Sequence, residues 1–416
     1  MSRERKTAWL VFIVLLGFVA AVVAHYIVAQ YVMRGYPFST FLFKPQDTTG
    51  FPGAPNIIGV HYFGDFFEAW LTSRGPNPYV DYPLSAPSSY FPITHIILFP
   101  LAQLPLEPAL LIYLGGFTAA LAALVFTATG GDRLSRTQAA LVLTACSTPV
   151  LFVIDRANVE GLLFLFLAGA LLAYRRERFY VAAVLIAIPA AMKGSPGIFW
   201  LLFVFDGQFR ALLVSVATFT FGTAAALLVL PGSTSANIDG LSSALDGLLT
   251  ATGEGTVGLR HSASLKAAFS GLGRLDEHFN FFVVNYMFVT LAILVGVALA
   301  LALVRMDLWQ RVALLSAAMI LVPSVSYNYR MIHVYLPLLL FLDVSERRRF
   351  DALYVALFGL LLVPKALPNL YADVDIGTVI NPLLLVALMG AVVIDAARTG
   401  GVSLSRPGAA RAAPAG

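Results

Sequence analysis

The chain has 416 residues, 59% of them hydrophobic and only 12% charged, with a mean hydropathy of +0.81. Soluble domains carry about twice that charge fraction, so a soluble protein is excluded, and without alternating ten-residue segments a membrane barrel is excluded too. The lone Cys146 rules out an intramolecular disulfide and a cysteine metal site, and the basic pI of about 9.1 follows from membrane topology rather than from nucleic-acid binding.

Apolar runs recur from end to end, many near the ~20 residues that cross a hydrocarbon core. They predict an all-α, polytopic helical bundle of about twelve crossings, roughly 8–30, 91–129, 138–154, 157–174, 179–192, 196–205, 210–230, 281–304, 312–324, 331–344, 350–366 and 378–397. The first is too long for a signal peptide and lacks a small-residue cleavage site, so it reads as a retained helix. The second is composite: a piece over 91–104, broken at Pro100 and Pro105, and a longer helix over 107–129. Several crossings are too short to span unaided, which places their ends in a protein-lined cavity. Residues 1–400 form one membrane domain with two long loops, 31–90 and 231–280. The Ala-, Pro- and Gly-rich tail over 401–416 reads as disordered.

Charge sets the orientation. With the N-terminus in the cytoplasm, seventeen of the 27 basic residues fall inside against nine of the 23 acidic ones, as the positive-inside rule requires. Both termini are then cytoplasmic and both long loops face outward. Each loop carries an amphipathic stretch. In the first, Phe63, Phe66, Phe67 and Trp70 recur at helical spacing with Asp65, Glu68 and Thr72 on another face, as in an interfacial helix. In the second, Leu265, Phe269 and Leu272 follow Ser262 or Ser264 as N-cap.

Candidate chemistry concentrates on the outward side. Asp65 follows Gly64 at a helix start; it reads either as a general base toward a hydroxyl or as a capping residue. Glu68, one turn on, reads as the wet side of that helix or as a second acid. Tyr79, in Asn77-Pro78-Tyr79, and Tyr90, in Tyr90-Phe91-Pro92, add an aromatic wall. Asp155, Arg156 and Asn158 occupy a turn too short to be a solvated loop. Ionisable residues at membrane depth suggest function, the alternative being a mutual ion pair. Lys193 ends an apolar run directly before Gly194-Ser195-Pro196, where a cation suits a lipid-carrier phosphate or snorkels to the interface. Arg260, His261 and Lys266 form a basic group in the second loop; Tyr327, Asn328, Tyr329, Arg330 and His333 form another. These suit sugar and phosphate, or belong to an interfacial aromatic belt. Walker A, Rossmann, HExxH and nucleophile-elbow patterns are absent, so ATP-driven transport, zinc proteolysis and a soluble nucleotide-sugar donor have no support.

The order of these motifs resembles glycosyltransferase family eighty-seven, integral-membrane enzymes of the GT-C superfamily that include polyprenyl-phosphate-mannose-dependent mannosyltransferases and related arabinofuranosyltransferases. The resemblance rests on Gly64-Asp65, Asn77-Pro78-Tyr79, Tyr90-x-Pro92, the run ending Pro100-Leu101-Ala102-x-Leu104-Pro105, Asn158, Ala191-Met192-Lys193-x-x-Pro196, Ser262-x-Ser264-Leu265 and Pro323-Ser324-x-Ser326-Tyr327, spread over about 8–345. His261 departs from the family's usual side-chain amide, and Asn328-Tyr329-Arg330 from a more acidic, histidine-rich stretch. The resemblance implies an outward active site and an inverting transfer from a polyprenyl-phosphate sugar to a lipid or glycan acceptor. Asp65 would be the base, and Lys193, Arg330, His333, Arg260 and His261 would receive the donor phosphate. Glu68, Tyr79, Tyr90, Asp155, Arg156, Asn158, Tyr327 and Asn328 would contact substrate. No cofactor and no tightly bound metal is expected, and the setting is a bacterial cytoplasmic membrane with the site facing the periplasm, in contact with membrane lipids. The rivals are a transporter or flippase of lipid-linked sugars, which the lack of visible repeats disfavours, and a non-catalytic assembly subunit.

Overall fold

The computed structural model describes residues 1–27, 31, 63–75, 77–80, 88–253, 262–344, 348–365 and 376–400. Most of the first loop, Arg260 and His261, and the tail over 401–416 therefore lie outside the described residues.

Among the described residues the secondary structure is helical, apart from an isolated bridge between Ser262 and Tyr327. The helices are α1 (Arg3–Ile27), α2 (Gly64–Arg74), α3 (Pro92–Ala102), α4 (Leu106–Ala128), α5 (Arg133–Ala145), α6 (Thr148–Arg156), α7 (Glu160–Arg175), α8 (Phe179–Lys193) and α9 (Trp200–Phe205). They continue as α10 (Phe209–Val229), α11 (Thr234–Gly253), α12 (Leu265–Gly273), α13 (Asn280–Val284), α14 (Tyr286–Leu303), α15 (Leu308–Leu321), α16 (Tyr335–Asp343), α17 (Asp351–Leu362) and α18 (Ile376–Gly400). Among the described residues, five helices are long and apolar enough to span a membrane: α1, α4, α10, α14 and α18. The bent pair α5–α6, angled by 56°, makes a sixth if taken as one span.

Long and short helices occupy different environments. The long ones present bare apolar side chains such as Phe221 and Leu228, each 74% exposed. A surface of that kind is matched to lipid rather than water. The short ones form the interior. Helix α15 is buried along almost its whole length, with Trp309 against Phe341 at 5.1 Å and Tyr354 at 4.8 Å between ring centroids. Helices packed in lipid gain little from the hydrophobic effect, so close packing and polar ties hold them. One such tie joins three helices: Asp395 of α18 accepts from Tyr354 of α17 at 3.0 Å and from Gln310 of α15 at 3.4 Å. Asp307 and Gln310 form a capping box, which starts α15 four residues before the predicted boundary.

The predicted break at Pro105 separates α3 from α4. Run 138–154, expected as one helix, instead bends at Cys146-Ser147, because Pro149 lacks the N–H needed mid-helix and opens a new one. Helix α11 lies where a loop was expected.

The two ends of the bundle differ in chemistry. At one end, Arg3 and Arg175 pair with Asp343, Lys6 with Asp351, Arg311 with Asp206 and Arg348 with Asp307. At the other, the turns before α4 and α7 and after α8 and α10 gather around α2. Trp70 Nε1 of α2 donates to Leu104 O at 3.1 Å. Asn77 donates to Asn237 of α11 at 2.7 Å, joining the two long loops on one face.

Candidate active site

Helix α2 starts from a strained residue. Phe63 has φ 56°, and Ala157, which ends α6, has φ 48°; a non-glycine residue in this region costs about 1–3 kcal/mol. Both side chains are buried in one small cluster with Phe66, Ala109, Leu110 and Tyr113. Packing there holds two turns that bring Asp65, Arg156 and Asn158 together. Asp65 is not the cap of α2; that position belongs to Phe63. Its Oδ2 instead accepts from Asn158 Nδ2 at 2.6 Å, and its Oδ1 lies 3.5 Å from an Arg156 guanidinium nitrogen. The Asp65 side chain remains 18% exposed.

Asn158 is fixed from three directions. Its Oδ1 accepts from the Glu160 backbone N–H at 2.9 Å, satisfying an open donor at the start of α7. Its backbone carbonyl accepts from the Tyr113 hydroxyl. Only the amide NH2 is left to face Asp65. Gly161 permits this approach: a Cβ there would lie 3.0 Å from Phe117 and Val153 and 3.1 Å from the Tyr113 hydroxyl.

Glu160 was not singled out from the sequence, and it is the hub of the site. Its buried carboxylate accepts from Lys193 Nζ at 2.8 Å and Arg330 Nε at 3.1 Å on Oε1, and from His333 Nε2 at 2.7 Å on Oε2. Lys193 comes from the last residue of α8, where Gly194 (φ 71°) breaks the helix. Arg330 and His333 come from the 3-10 segment Asn328–Val334. Nζ of Lys193 lies 5.3 Å from the Tyr329 ring centre and 5.8 Å from that of Tyr90. Ammonium carries three donors, and Glu160 occupies one of them. Arg330 Nη1, His333 Nδ1 and Asn328 Oδ1 are buried without a hydrogen-bond partner among the described residues. Such groups are rare in folded proteins and mark places where a ligand or water completes the set.

The remaining predicted residues support this centre. Tyr79 is buried, donating its hydroxyl to the Tyr90 carbonyl at 2.6 Å, so it shapes the wall carrying Tyr90. Thr94 of α3 donates to Met192 O at 3.3 Å, tying that wall to the end of α8. Ser262 and Ser264 bond the carbonyls of Ser326 and Ser324 at 3.2 and 3.1 Å. The two serine motifs thus form a buried junction that presents Tyr327 and the segment behind it. Asp155 is fully buried on α6.

Glu68 is half-buried rather than on a wet face. Burial, and then the Asp65 charge one turn away, push its carboxyl up to about 7. Among the described residues, no three His, Cys, Asp or Glu side chains converge as metal ligands.

The chain belongs to glycosyltransferase family 87, whose family profile matches residues 89–326. The match covers Tyr90, Arg156, Asn158, Glu160 and Lys193; Asp65 lies before it and Arg330 and His333 after it, and they join the site through the contacts above. No match was found among curated proteins or among solved structures. With its membrane-spanning helices, the chain is a membrane glycosyltransferase.

Proposed function

We propose that the chain moves a sugar from a polyprenyl-phosphate carrier to a lipid or glycan acceptor, on the outer face of a bacterial cytoplasmic membrane and with inversion. The supporting observation is one line of contacts: Asp65 to Asn158, Asn158 to Glu160, and Glu160 to Lys193, Arg330 and His333. A base and an anion-binding cluster are thereby held at a fixed separation by the two ends of one amide.

In this reading the acceptor hydroxyl gives its proton to an Asp65 carboxylate oxygen. The acceptor oxygen forms a bond to the anomeric carbon from the face opposite the carrier. The bond from that carbon to the phosphate oxygen breaks, and its electron pair stays with the leaving polyprenyl phosphate. A phosphodiester with one negative charge becomes a monoester carrying a second, so charge develops on the leaving side. Cations already in place there stabilise the transition state more than the ground state. Glu160 keeps them in place without cancelling their whole charge. Arg330 Nη1 and the two remaining Lys193 donors are the groups left to meet the phosphate, and Arg156 and Asn158 orient the base. Sugar contacts fall to Tyr90, Tyr327 and Asn328. Arg260 and His261 remain proposed members of the phosphate group. No metal or other cofactor is invoked.

We take the chain to make twelve traverses with both termini at the basic end, counting α3–α4, α5–α6 and the 3-10 segment with α16 as single passes; five helices, or six with α5–α6 joined, are long and apolar enough to span alone. That end is assigned to the cytoplasm by the positive-inside rule. Purified Asp65→Asn protein, assayed with a radiolabelled polyprenyl-phosphate sugar, is expected to lose about 10²–10⁴-fold in kcat with donor KM little changed. Transfer at the wild-type rate would overturn the assignment of the base. Translocation of lipid-linked sugar by both forms, with product from neither, would favour a flippase.

A further inference from the structure

A second lipid-facing feature lies away from the candidate active site. A groove of about 650 Å³ opens between α4, α7 and α16. It is lined by small residues, Ala120, Ala123, Ala168 and Gly169, together with leucines. At one end stand Arg175, Arg176 and Asp343. Along α4 the groove runs from Ala120 to Ala128, about 12 Å at the 1.5 Å rise per residue. Half a hydrocarbon core is about 15 Å, so the groove is the length of one leaflet and stops short of the other.

Charge selects the occupant. Asp343 is shared by Arg3 and Arg175, whereas Arg176 is exposed at the mouth. The charged residues that line the groove, Arg175, Arg176 and Asp343, leave an excess of one positive charge where a headgroup would lie. The donor carrier does not fit this description. Its phosphate belongs at Lys193, at the far end of α8, and a carrier entering here would have its head at the wrong membrane surface.

We propose that this groove binds one anionic phospholipid of the leaflet at the basic end, with its phosphate on Arg176 and Arg175 and an acyl chain laid over Ala123, Ala168 and Gly169. Basic clefts between membrane helices recognise anionic headgroups on the same physical grounds. The site is separate from that of the proposed transfer reaction, and only the exclusion of the donor carrier rests on that reading.

Native mass spectrometry of the full chain in detergent, titrated with phosphatidylglycerol or phosphatidylcholine, tests this. The wild type is expected to retain one phosphatidylglycerol in preference to phosphatidylcholine. Arg176→Gln is expected to reduce that retention about fivefold, the factor for about 1 kcal/mol per basic residue at a membrane surface. Ala123→Trp, a change at an exposed lipid-facing position, is expected to abolish it by filling the chain's path. Equal retention of the two lipids, indifference to Arg176→Gln, or retention unchanged by Ala123→Trp would each overturn the proposal. So would full displacement of the lipid by inorganic phosphate, which marks a free-anion site, or loss of a two-chain species in Ala123→Trp, which marks the groove as an interface between copies.

Discussion

Lys193, Arg330 and His333 share the buried Glu160 carboxylate, and without it the ammonium and the guanidinium would face each other in a site with little water to screen them. Removing one partner of a buried ion pair typically costs about 3–5 kcal/mol. Glu160→Gln keeps the shape and one acceptor oxygen but removes the charge. It is expected to lower Tm sharply and to raise donor KM. Adding Lys193→Gln in the same chain should recover part of the stability and none of the activity, a non-additivity that thermal melts and steady-state kinetics read directly. Glu68 gives a second test. Its folded-state carboxyl is pushed up to about 7 from an ordinary 4.5, so between these values the folded state holds a proton that the unfolded state has lost. Stability therefore falls as pH rises from about 4.5 through 7, and Tm of Glu68→Gln should show a flatter slope over that window than the wild type. Lys193 was legible as a lone cation ending an apolar run, Asp65 as an acid at the start of an amphipathic helix, and Arg330 and His333 as part of a polar, aromatic group between two apolar runs. Glu160 obeys the same rule, standing at the head of Gly161-Leu162-Leu163-Phe164, but the polar turn just before it drew the chemistry to Asn158 and left the acid unread.

At the scale of elements, the site depends on α7 entering closely against α4 and α6. Gly161 allows that entry, since a methyl group there would press on Phe117, Val153 and the Tyr113 hydroxyl together. Gly161→Ala removes no polar group and changes no charge. Overpacking of this kind costs about 1–3 kcal/mol, and Tyr113 is the neighbour with a hydrogen bond to lose. The variant is expected to fold, to melt earlier and to lose activity in kcat more than in donor KM, because Asn158 shifts against Asp65 while the cations stay on Glu160. An unchanged kcat would show that the Tyr113–Asn158 contact does not position the base. Most elements were legible from apolar periodicity and from prolines, including the break at Pro105 and the Ser264 cap of α12, whose side chain accepts from Ala267 N at 3.2 Å. Helix α11 was not. Its sequence is rich in Ser, Asp and Gly with weak periodicity, and two of its fixings are distant in sequence: Asn237 accepts from Asn77, and Gly240 lies so close to Tyr79 that a Cβ would come within 2.6 Å of its carbonyl.

For the whole molecule, the short inner helices make sense only with the long outer ones around them. Helices of nine to sixteen residues such as α7, α8, α15 and α16 do not reach across ~30 Å of hydrocarbon by themselves. Irregular ends are tolerated at membrane depth where protein encloses them, and the Gly194 break and the segment Asn328–Val334 meet that condition around Glu160. Composition could announce a membrane bundle and charge could suggest an orientation, but neither could say which short runs lie inside, because burial depends on partners far away in sequence. The orientation has a direct test. Ser235 on α11 and Arg133 at the start of α5 are exposed at opposite ends, and Cys146 is the chain's single cysteine. In a Cys146→Ser background, Ser235→Cys is expected to react with a membrane-impermeant maleimide in intact cells. Arg133→Cys should react only after permeabilisation. The reverse pattern would place the candidate active site in the cytoplasm, where seventeen basic residues would then be on the outside against the positive-inside rule. Labelling of both positions in intact cells would mean that the chain between them, α5 to α10, does not cross the membrane an odd number of times, and the twelve-traverse arrangement would fall with it.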